Sequence, residues 1–587
     1  GYGTLEQQNA GADAYNTAVG YVTGNAITTG TNNTIMGGFA GDALTTGINN
    51  VAIGRSALST EDTYGYNVAV GTYALLNQNA GDNAYNTAVG YGAGENVTTG
   101  ILNTIIGGSA GAALNTGARN ILIGVRAGDA LTDGNYNVAI GYQALTDDDQ
   151  GEYNTAVGYF ALENYNGGDN EGANTAMGAS AGRNISTGQY NTAVGGWAIG
   201  DGTTTGNYNT AIGHYAGYDL TSGATNTLIG GFAGDNLTTG SRNIAIGYNA
   251  LGLEDGNGYC VAIGYQALKS QDAGADAYNV AVGYNAGQAV TTGTYNTFLG
   301  ANAGDSVTTG THNIAIGYEA LSSEDGDGKN VAVGSFALQD LNAGADAGNT
   351  ALGYVAGAEL TTGIRNVIVG SWAGDALTTG GHNVAIGSFA LSAEDGHGKN
   401  IAIGYNALED LNAGADGYNV AIGHDSGKQM TTGTYNTLIG GLAGDALTTG
   451  TYNVAIGGNA LSAEDAHSYN TAVGYNALRL QNAGADAYNV ALGYNAGENI
   501  STGTSNVLLG SQAGDALTTG SHNVAVGRGA LGGEDGDGRN VAVGHEALNA
   551  QNVGQAGYNV AMGYEAGHDI SDGKWNTIIG GLAGDAL

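Results

Sequence analysis

The sequence predicts an all-β parallel solenoid, a β-roll of about 33 coils whose anchors are spaced 17 to 19 apart, and three observations predict it. The first is a repeated pentad, Asn followed by three mostly apolar residues and Gly: NTAVG at Asn16, NTIMG at Asn33, NVAIG at Asn50, and so on to NTIIG at Asn576. Self-similarity at a short fixed period marks a stack of identical structural units. The second is composition, with 109 Gly and no Pro in 587 residues. A chain without Pro keeps every backbone N–H free to ladder onto the next segment. The third is scale: a 17-residue coil is too small to bury its own apolar face, so each must stack on its neighbours.

The coils are organised at a second level. From Asn279 the anchors fall at Asn296, Asn313, Asn330 and Asn349, three steps of 17 and one of 19, which closes a four-coil, 70-residue block. The block recurs at Asn349, Asn419, Asn489 and Asn559. Its first coil reads like VAVGYNAGQAVTTGTYN, its second like TLIGGLAGDALTTGTYN, its third like VAIGSFALSAEDGHGKN and its fourth like IAIGYNALEDLNAGADGYN. Residues 1–278 are less regular, with steps of 20 at Asn154 and 18 at Asn191, and 279–587 hold the regular blocks. No separate globular domain is expected, and both ends read as cut from a longer chain. At about 4.8 Å between adjacent strands, the stack is expected to form a rod roughly 160 Å long.

Within Asn-Val-Ala-Ile-Gly, strand alternation sends the first and third apolar residues one way and the second the other. The larger pair is expected to fill the interior and the Ala to face outward. A second short strand is expected after the Gly, a third around ALTTG, and Gly at the corners, where positive φ is needed. Asn stands in 32 of the 33 anchor slots, which a mere turn preference would not enforce. An amide that donates and accepts can instead form a ladder along the axis, through Asn279, Asn296, Asn313, Asn330, Asn349, Asn366, Asn383, Asn400 and Asn419 in the regular part.

The repeated phrases YNVAIG, NVAVG and NTAVG resemble the head-domain repeats of trimeric autotransporter adhesins. The resemblance covers essentially the whole chain and implies a left-handed parallel β-roll in which three chains associate side by side. Two features depart from that family: its repeats are typically shorter than the 17-residue coil found here, and it does not usually show a four-coil block. Similar repeats occur in phage tail-fibre-like proteins and in large surface proteins of aquatic microbes. Trimerisation is thus implied by resemblance alone, and a single-chain solenoid stays open.

Charge narrows the partners. With 14 basic and 52 acidic residues, a formal net charge of −38, the chain repels phosphate backbones and anionic lipid, so nucleic acid is not an expected partner. No apolar run of about 18 residues is present, so no membrane span is expected. Cations are the natural counter-charges. The turns EDGDG at Glu324, Asp325 and Asp327, and again at Glu534, Asp535 and Asp537, are possible calcium sites, since calcium takes several oxygens from a flexible loop. No other cofactor and no certain metal site is expected.

The remaining candidates have plain structural readings. His312, His382 and His522 share one slot but lie four or more coils apart, too far to share a metal within a chain. Gly-x-Ser-x-Gly occurs around Ser109 and Ser180 without the strand-to-helix elbow that gives it meaning. The Thr pairs of LTTG suggest an ice-binding face, broken by two coils in every four. Tyr recurs before the Asn (Tyr15, Tyr66, Tyr85, Tyr488) and after the Gly (Tyr91, Tyr265, Tyr494), in columns that stabilise the stack and offer ring faces to sugars or proteins. The lone Cys260 falls in the Asn slot and reads as one missing rung.

Enzymatic activity is not expected of a stack of near-identical coils. The expected role is an extracellular adhesin or fibre shaft or head at a cell or virion surface, self-associating as a homotrimer or filament and contacting a host or surface glycan or protein. A structural filament or sheath component, a phage tail fibre and an ice-binding solenoid are the alternatives.

Overall fold

The computed structural model describes residues 1–587 apart from 12, 169, 170, 327, 345, 537, 586 and 587. The chain divides into two units, Gly1–Tyr295 and Asn296–Leu587. Both are all-β parallel solenoids, and no helix forms among the described residues. Among the described residues the first unit carries 16 strands, β1 (Thr17–Val19) to β16 (Val280–Val282), and the second 17, β17 (Thr297–Leu299) to β33 (Thr577–Ile579). Every strand is three residues long and follows the anchor Asn or, once, Cys260. Within each unit successive strands pair in parallel and in register, for example Val261 with Val280 and Val384 with Ile401.

There is one strand per coil. The other two expected strands are turns that still hydrogen-bond from coil to coil, as in Gly41 N–H to Ala57 O at 2.9 Å and Thr28 N–H to Thr45 O at 2.8 Å. Left-handed residues interrupt them: Phe39 has φ 60°, Ser56 52° and Leu58 53°. An extended run cannot pass through such positions.

The interior is the reverse of the expectation. The middle residue of the strand is buried in every strand after β1, while the flanking Val, Ile, Leu, Met and Thr are half-buried or exposed. The cause is the anchor Asn, whose side chain is itself interior: Asn33, Asn383 and their counterparts between the first and last coils are buried. Alternation then points the residue two positions later inward and its neighbours outward. The coil is narrow, and besides the middle strand residue it is filled by Ala seven positions after the Asn and Leu, Val or Ile eleven positions after it, as Ala40 and Leu44 are.

Volume is balanced along the stack. In second coils the middle strand residue is large (Ile35, Phe298, Ile368, Leu438) and Gly stands eight positions after the Asn. A Cβ on Gly304 would lie 2.3 Å from the Phe298 ring. In third and fourth coils the middle residue is Ala and the eighth position holds a buried Leu, as Ala385 and Leu391 do. First coils carry Ala together with Gly, as Ala351 and Gly357 do, and there Ile368 and Leu338 of the adjacent coils reach within 2.8 and 3.1 Å of where a Cβ on Gly357 would sit. The Gly that closes each strand has a different duty. At Gly37, φ is 131° and a Cβ would sit 2.4 Å from the carbonyl oxygen of Gly54 in the next coil.

Candidate functional site

Four longitudinal features are repeated from coil to coil: the interior Asn ladder, an interior column of acids, an aromatic column beside the Asn, and the outward strand face.

In the ladder the backbone N–H of an anchor donates to the side-chain oxygen of the Asn that precedes it. Asn330 donates to Asn313 Oδ1 at 3.0 Å, Asn349 to Asn330 at 3.0 Å, Asn366 to Asn349 at 2.9 Å, Asn383 to Asn366 at 2.9 Å, Asn400 to Asn383 at 3.0 Å and Asn419 to Asn400 at 3.2 Å. The amide Nδ2 mostly turns to a carbonyl near the end of its own coil, as in Asn279 to Gly293 at 2.7 Å and Asn296 to Gly310 at 2.8 Å. Direct amide-to-amide bonds occur at some rungs, such as Asn366 Nδ2 to Asn349 Oδ1 at 3.2 Å. The Asn thus ties side chain to backbone across coils, which Asp or Ser could do only in part.

That second bond is missing at fourth coils. Asn67, Asn330, Asn400, Asn470 and Asn540 have a buried Nδ2 with no hydrogen-bond partner. Each opens a 19-residue coil, whose two extra positions move the carbonyl away.

On sequence the EDG turns read as flexible loops offering oxygens to calcium. The structure places their Glu eleven positions after the Asn, in the slot that holds Leu44, Leu377 or Leu447 elsewhere. Glu61, Glu254, Glu324, Glu394, Glu464 and Glu534, with Asp148 in an irregular coil, are fully buried. Of the calcium candidates, Glu324 and Glu534 are therefore interior, Asp325 and Asp535 are exposed, and Asp327 and Asp537 lie outside the described residues. The signal is present in the sequence: aligning the coils on their Asn puts the Glu in the Leu column.

Glu61, Asp148, Glu254, Glu394 and Glu464 are each held by the chain just after them. Glu61 Oε1 accepts from Tyr64 N–H at 3.1 Å, Asp148 Oδ1 from Gly151 at 2.9 Å and Glu254 Oε1 from Asn257 at 2.8 Å. In two coils a His answers the charge: His467 Nδ1 is 2.7 Å from Glu464 Oε1, and His397 Nδ1 is 3.4 Å from Glu394 Oε1. Asp395 and Asp465 complete groups whose ligand-type atoms lie within 4.8 Å of one another.

Compared with protein-family models and with curated proteins, the chain matches none.

The residue before the Asn forms the aromatic column. Tyr418, Tyr435, Tyr452, Tyr469 and Tyr488 stack with centroids 5.1 to 5.4 Å apart and rings within 8° of parallel. Their faces cover one another, so edges and hydroxyls, not ring faces, meet solvent. All five have left-handed backbones, φ 50° to 65°. Cations enter the same column and sit on the next ring, as Arg119 does over Tyr136, Arg242 over Tyr259, Lys399 over Tyr418 and Arg539 over Tyr558. His312, His382 and His522 occupy this slot and are exposed.

Other candidates resolve into the coil pattern. Ser109 and Ser180 stand at the left-handed turn position, φ 56° and 55°, that Phe39 and Trp372 fill in other coils. The first Thr of LTTG spends its hydroxyl on the next coil, as in Thr45 Oγ1 to Asp62 O at 2.9 Å and Thr378 Oγ1 to Asp395 O at 2.6 Å. No helix among the described residues is long and apolar enough to cross a membrane.

Proposed function

We propose that this chain is a repeat-built structural element of an extracellular surface, an adhesin or fibre segment that works as an assembly of several copies. The observation that carries the reading is the outward strand face. In coil after coil two β-branched or aliphatic residues stand half-exposed at fixed spacing, for instance Val384 and Ile386, Val454 and Ile456, Val524 and Val526. A regular apolar stripe of this kind is a face to be covered, and a second copy carries the same stripe in the same register. Self-complementary surfaces generate symmetric assemblies. The resemblance to trimeric adhesin repeats favours three copies, and a filament or sheath is the reading if the contacts do not close.

Adhesion follows as a role for what remains on the outside, the Tyr edges and hydroxyls and the acidic turns, against a host or surface glycan or protein. Light scattering of the purified chain tests the assembly. Wild type should elute at a small multiple of 58.2 kDa, and a variant carrying Ile386→Asp, Ile456→Asp and Val526→Asp should elute as a single chain with unchanged β-sheet circular dichroism. A wild type that stays monomeric at high concentration would overturn the reading.

A further inference from the structure

The interior acids break the coil's own packing rule. At the position eleven residues after the Asn the neighbouring coils present Leu44 and Gln78 around Glu61, Leu131 and Tyr165 around Asp148, and Leu237 and Gln271 around Glu254. All three acids are fully buried in the first unit. Among the described residues no Lys, Arg or His forms an ion pair with any of them. One carboxyl oxygen each of Glu61 and Glu254 has no hydrogen-bond partner. An ionised carboxylate in such a place is costly, whereas a neutral carboxyl fits.

The groups that face them do not supply a positive charge. Glu61 meets Asp62 and the peptide N–H groups of Tyr64 and Ala80. Asp148 meets Asp149, the Asn154 amide at 3.3 Å and the peptide N–H groups of Gly151 and Gln150, and its charge acts on the Tyr165 hydroxyl. Glu254 meets Asn257, Asp255 and Asp272, and its charge acts on the Cys260 thiol.

We propose that Glu61, Asp148 and Glu254 make the first unit a pH-responsive solenoid, tight in a mildly acidic medium where these carboxyls are neutral and loosened as the medium becomes neutral to alkaline. The direction follows from the titration of the folded chain. Burial is the largest cause of a raised pKa at all three, and it lifts Asp148 and Glu254 to about 7 against the pull of the backbone N–H groups. For an acid whose pKa is raised on folding, the stabilisation is complete below its ordinary value and is lost as pH rises through the folded value. The window is therefore the span between the ordinary carboxylate range and about pH 7. Coils that hold Glu394 and Glu464 carry their own His and are outside the proposal.

The test is thermal unfolding of the full chain, followed by circular dichroism from about pH 5 to about pH 8. The wild-type transition should fall as pH rises. The triple variant Glu61→Gln, Asp148→Asn, Glu254→Gln should show a shallower fall and melt above wild type at the alkaline end. Gln already occupies this interior position at Gln78 and Gln271. A control carrying Asp13→Asn, Asp82→Asn and Asp133→Asn, all exposed in the first unit, removes the same number of charges outside the interior slot and should keep the wild-type slope. A wild-type transition that rises with pH, or a control as shallow as the interior variant, would overturn the proposal. Should the triple variant not fold, the infrared carbonyl band of a protonated carboxyl in wild type at neutral pH decides: present it supports the proposal, absent it overturns it.

Discussion

The backbone N–H of Cys260 donates to Asn243 Oδ1 at 3.0 Å, so the coil that lacks an Asn still receives its rung from the coil before it. What Cys260 gives up is smaller than it looks. It opens a fourth coil, the coil type in which Asn67, Asn330, Asn400, Asn470 and Asn540 leave Nδ2 buried and unpartnered. Restoring Asn would give the Asn279 N–H an amide oxygen in place of the Cys260 sulfur and reintroduce an orphaned donor, two terms of opposite sign and about 1 kcal/mol each. Cys260→Asn should therefore change stability by less than about 1 kcal/mol. Asn366→Cys is the contrast, because that side chain serves both Gly380 O and Asn383 N–H at 2.9 Å. It should cost about 2 to 4 kcal/mol in chemical denaturation.

Burial pushes the Cys260 thiol up to about 12. At neutral pH it is a thiol and not a nucleophile. A thiol-reactive dye should label the native chain negligibly and label it fully in denaturant; prompt labelling of the folded chain would contradict the interior placement.

Much of this fold is legible because the period is covalent information: counting residues between Asn anchors places every coil, its four types and the four-coil block. The facing of the strand is not, because Val and Ile are larger than Ala and size suggests the interior for them. Burial in a coil this narrow is set by which residues share a side with the Asn, not by which are most apolar. The same effect hides the acids. Glu324 and Glu534 read together with the Asp and Gly that follow them as a polar turn, although their distance from the Asn is that of Leu44. The Tyr columns are visible in the spacing, but stacking that covers their faces is a property of the coil-to-coil rise.

Packing balance makes a paired prediction. Ala385 is interior beside Leu391, whereas Ile368 is interior in a coil with Gly374. Ala385→Leu should overpack its coil and cost about 1 to 3 kcal/mol. Adding Leu391→Gly converts the coil to the second-coil pattern and should recover a substantial part of that loss. Ile386→Thr, on the outward face, should leave the single chain nearly unchanged in stability and alter only its association. Equal losses for Ala385→Leu with and without Leu391→Gly would refute the volume argument.

The His that answers a buried acid should matter more than a His that does not. His467 Nδ1 lies 2.7 Å from Glu464 Oε1, and its backbone N–H donates to the same oxygen at 3.1 Å. His467→Ala removes the ring and leaves the fully buried Glu464 with one partner fewer, a loss of about 1 to 3 kcal/mol. His382, exposed in the aromatic column, should tolerate Ala within about 0.5 kcal/mol. The double variant His467→Ala, Glu464→Leu should return to near wild-type stability, since Leu is the residue other coils place there.

Tyr452 combines two opposed terms that substitutions can separate. Its backbone is left-handed at φ 57°, which costs a non-glycine residue about 1 to 3 kcal/mol. Its ring stacks on Tyr435 at 5.1 Å and on Tyr469 at 5.4 Å, each contact worth about 0.5 to 1.5 kcal/mol. Tyr452→Gly loses both stacks and relieves the backbone, so its net effect should be small, about 1 kcal/mol or less. Tyr452→Val loses the stacks and puts a β-branched residue where φ is positive, so it should be the more damaging by about 2 kcal/mol. Near-ultraviolet circular dichroism should report loss of the stacked-Tyr signal equally in both variants. A Val variant as stable as the Gly variant would show that the coil relaxes out of the left-handed turn, and that stacking alone fixes Tyr in this column.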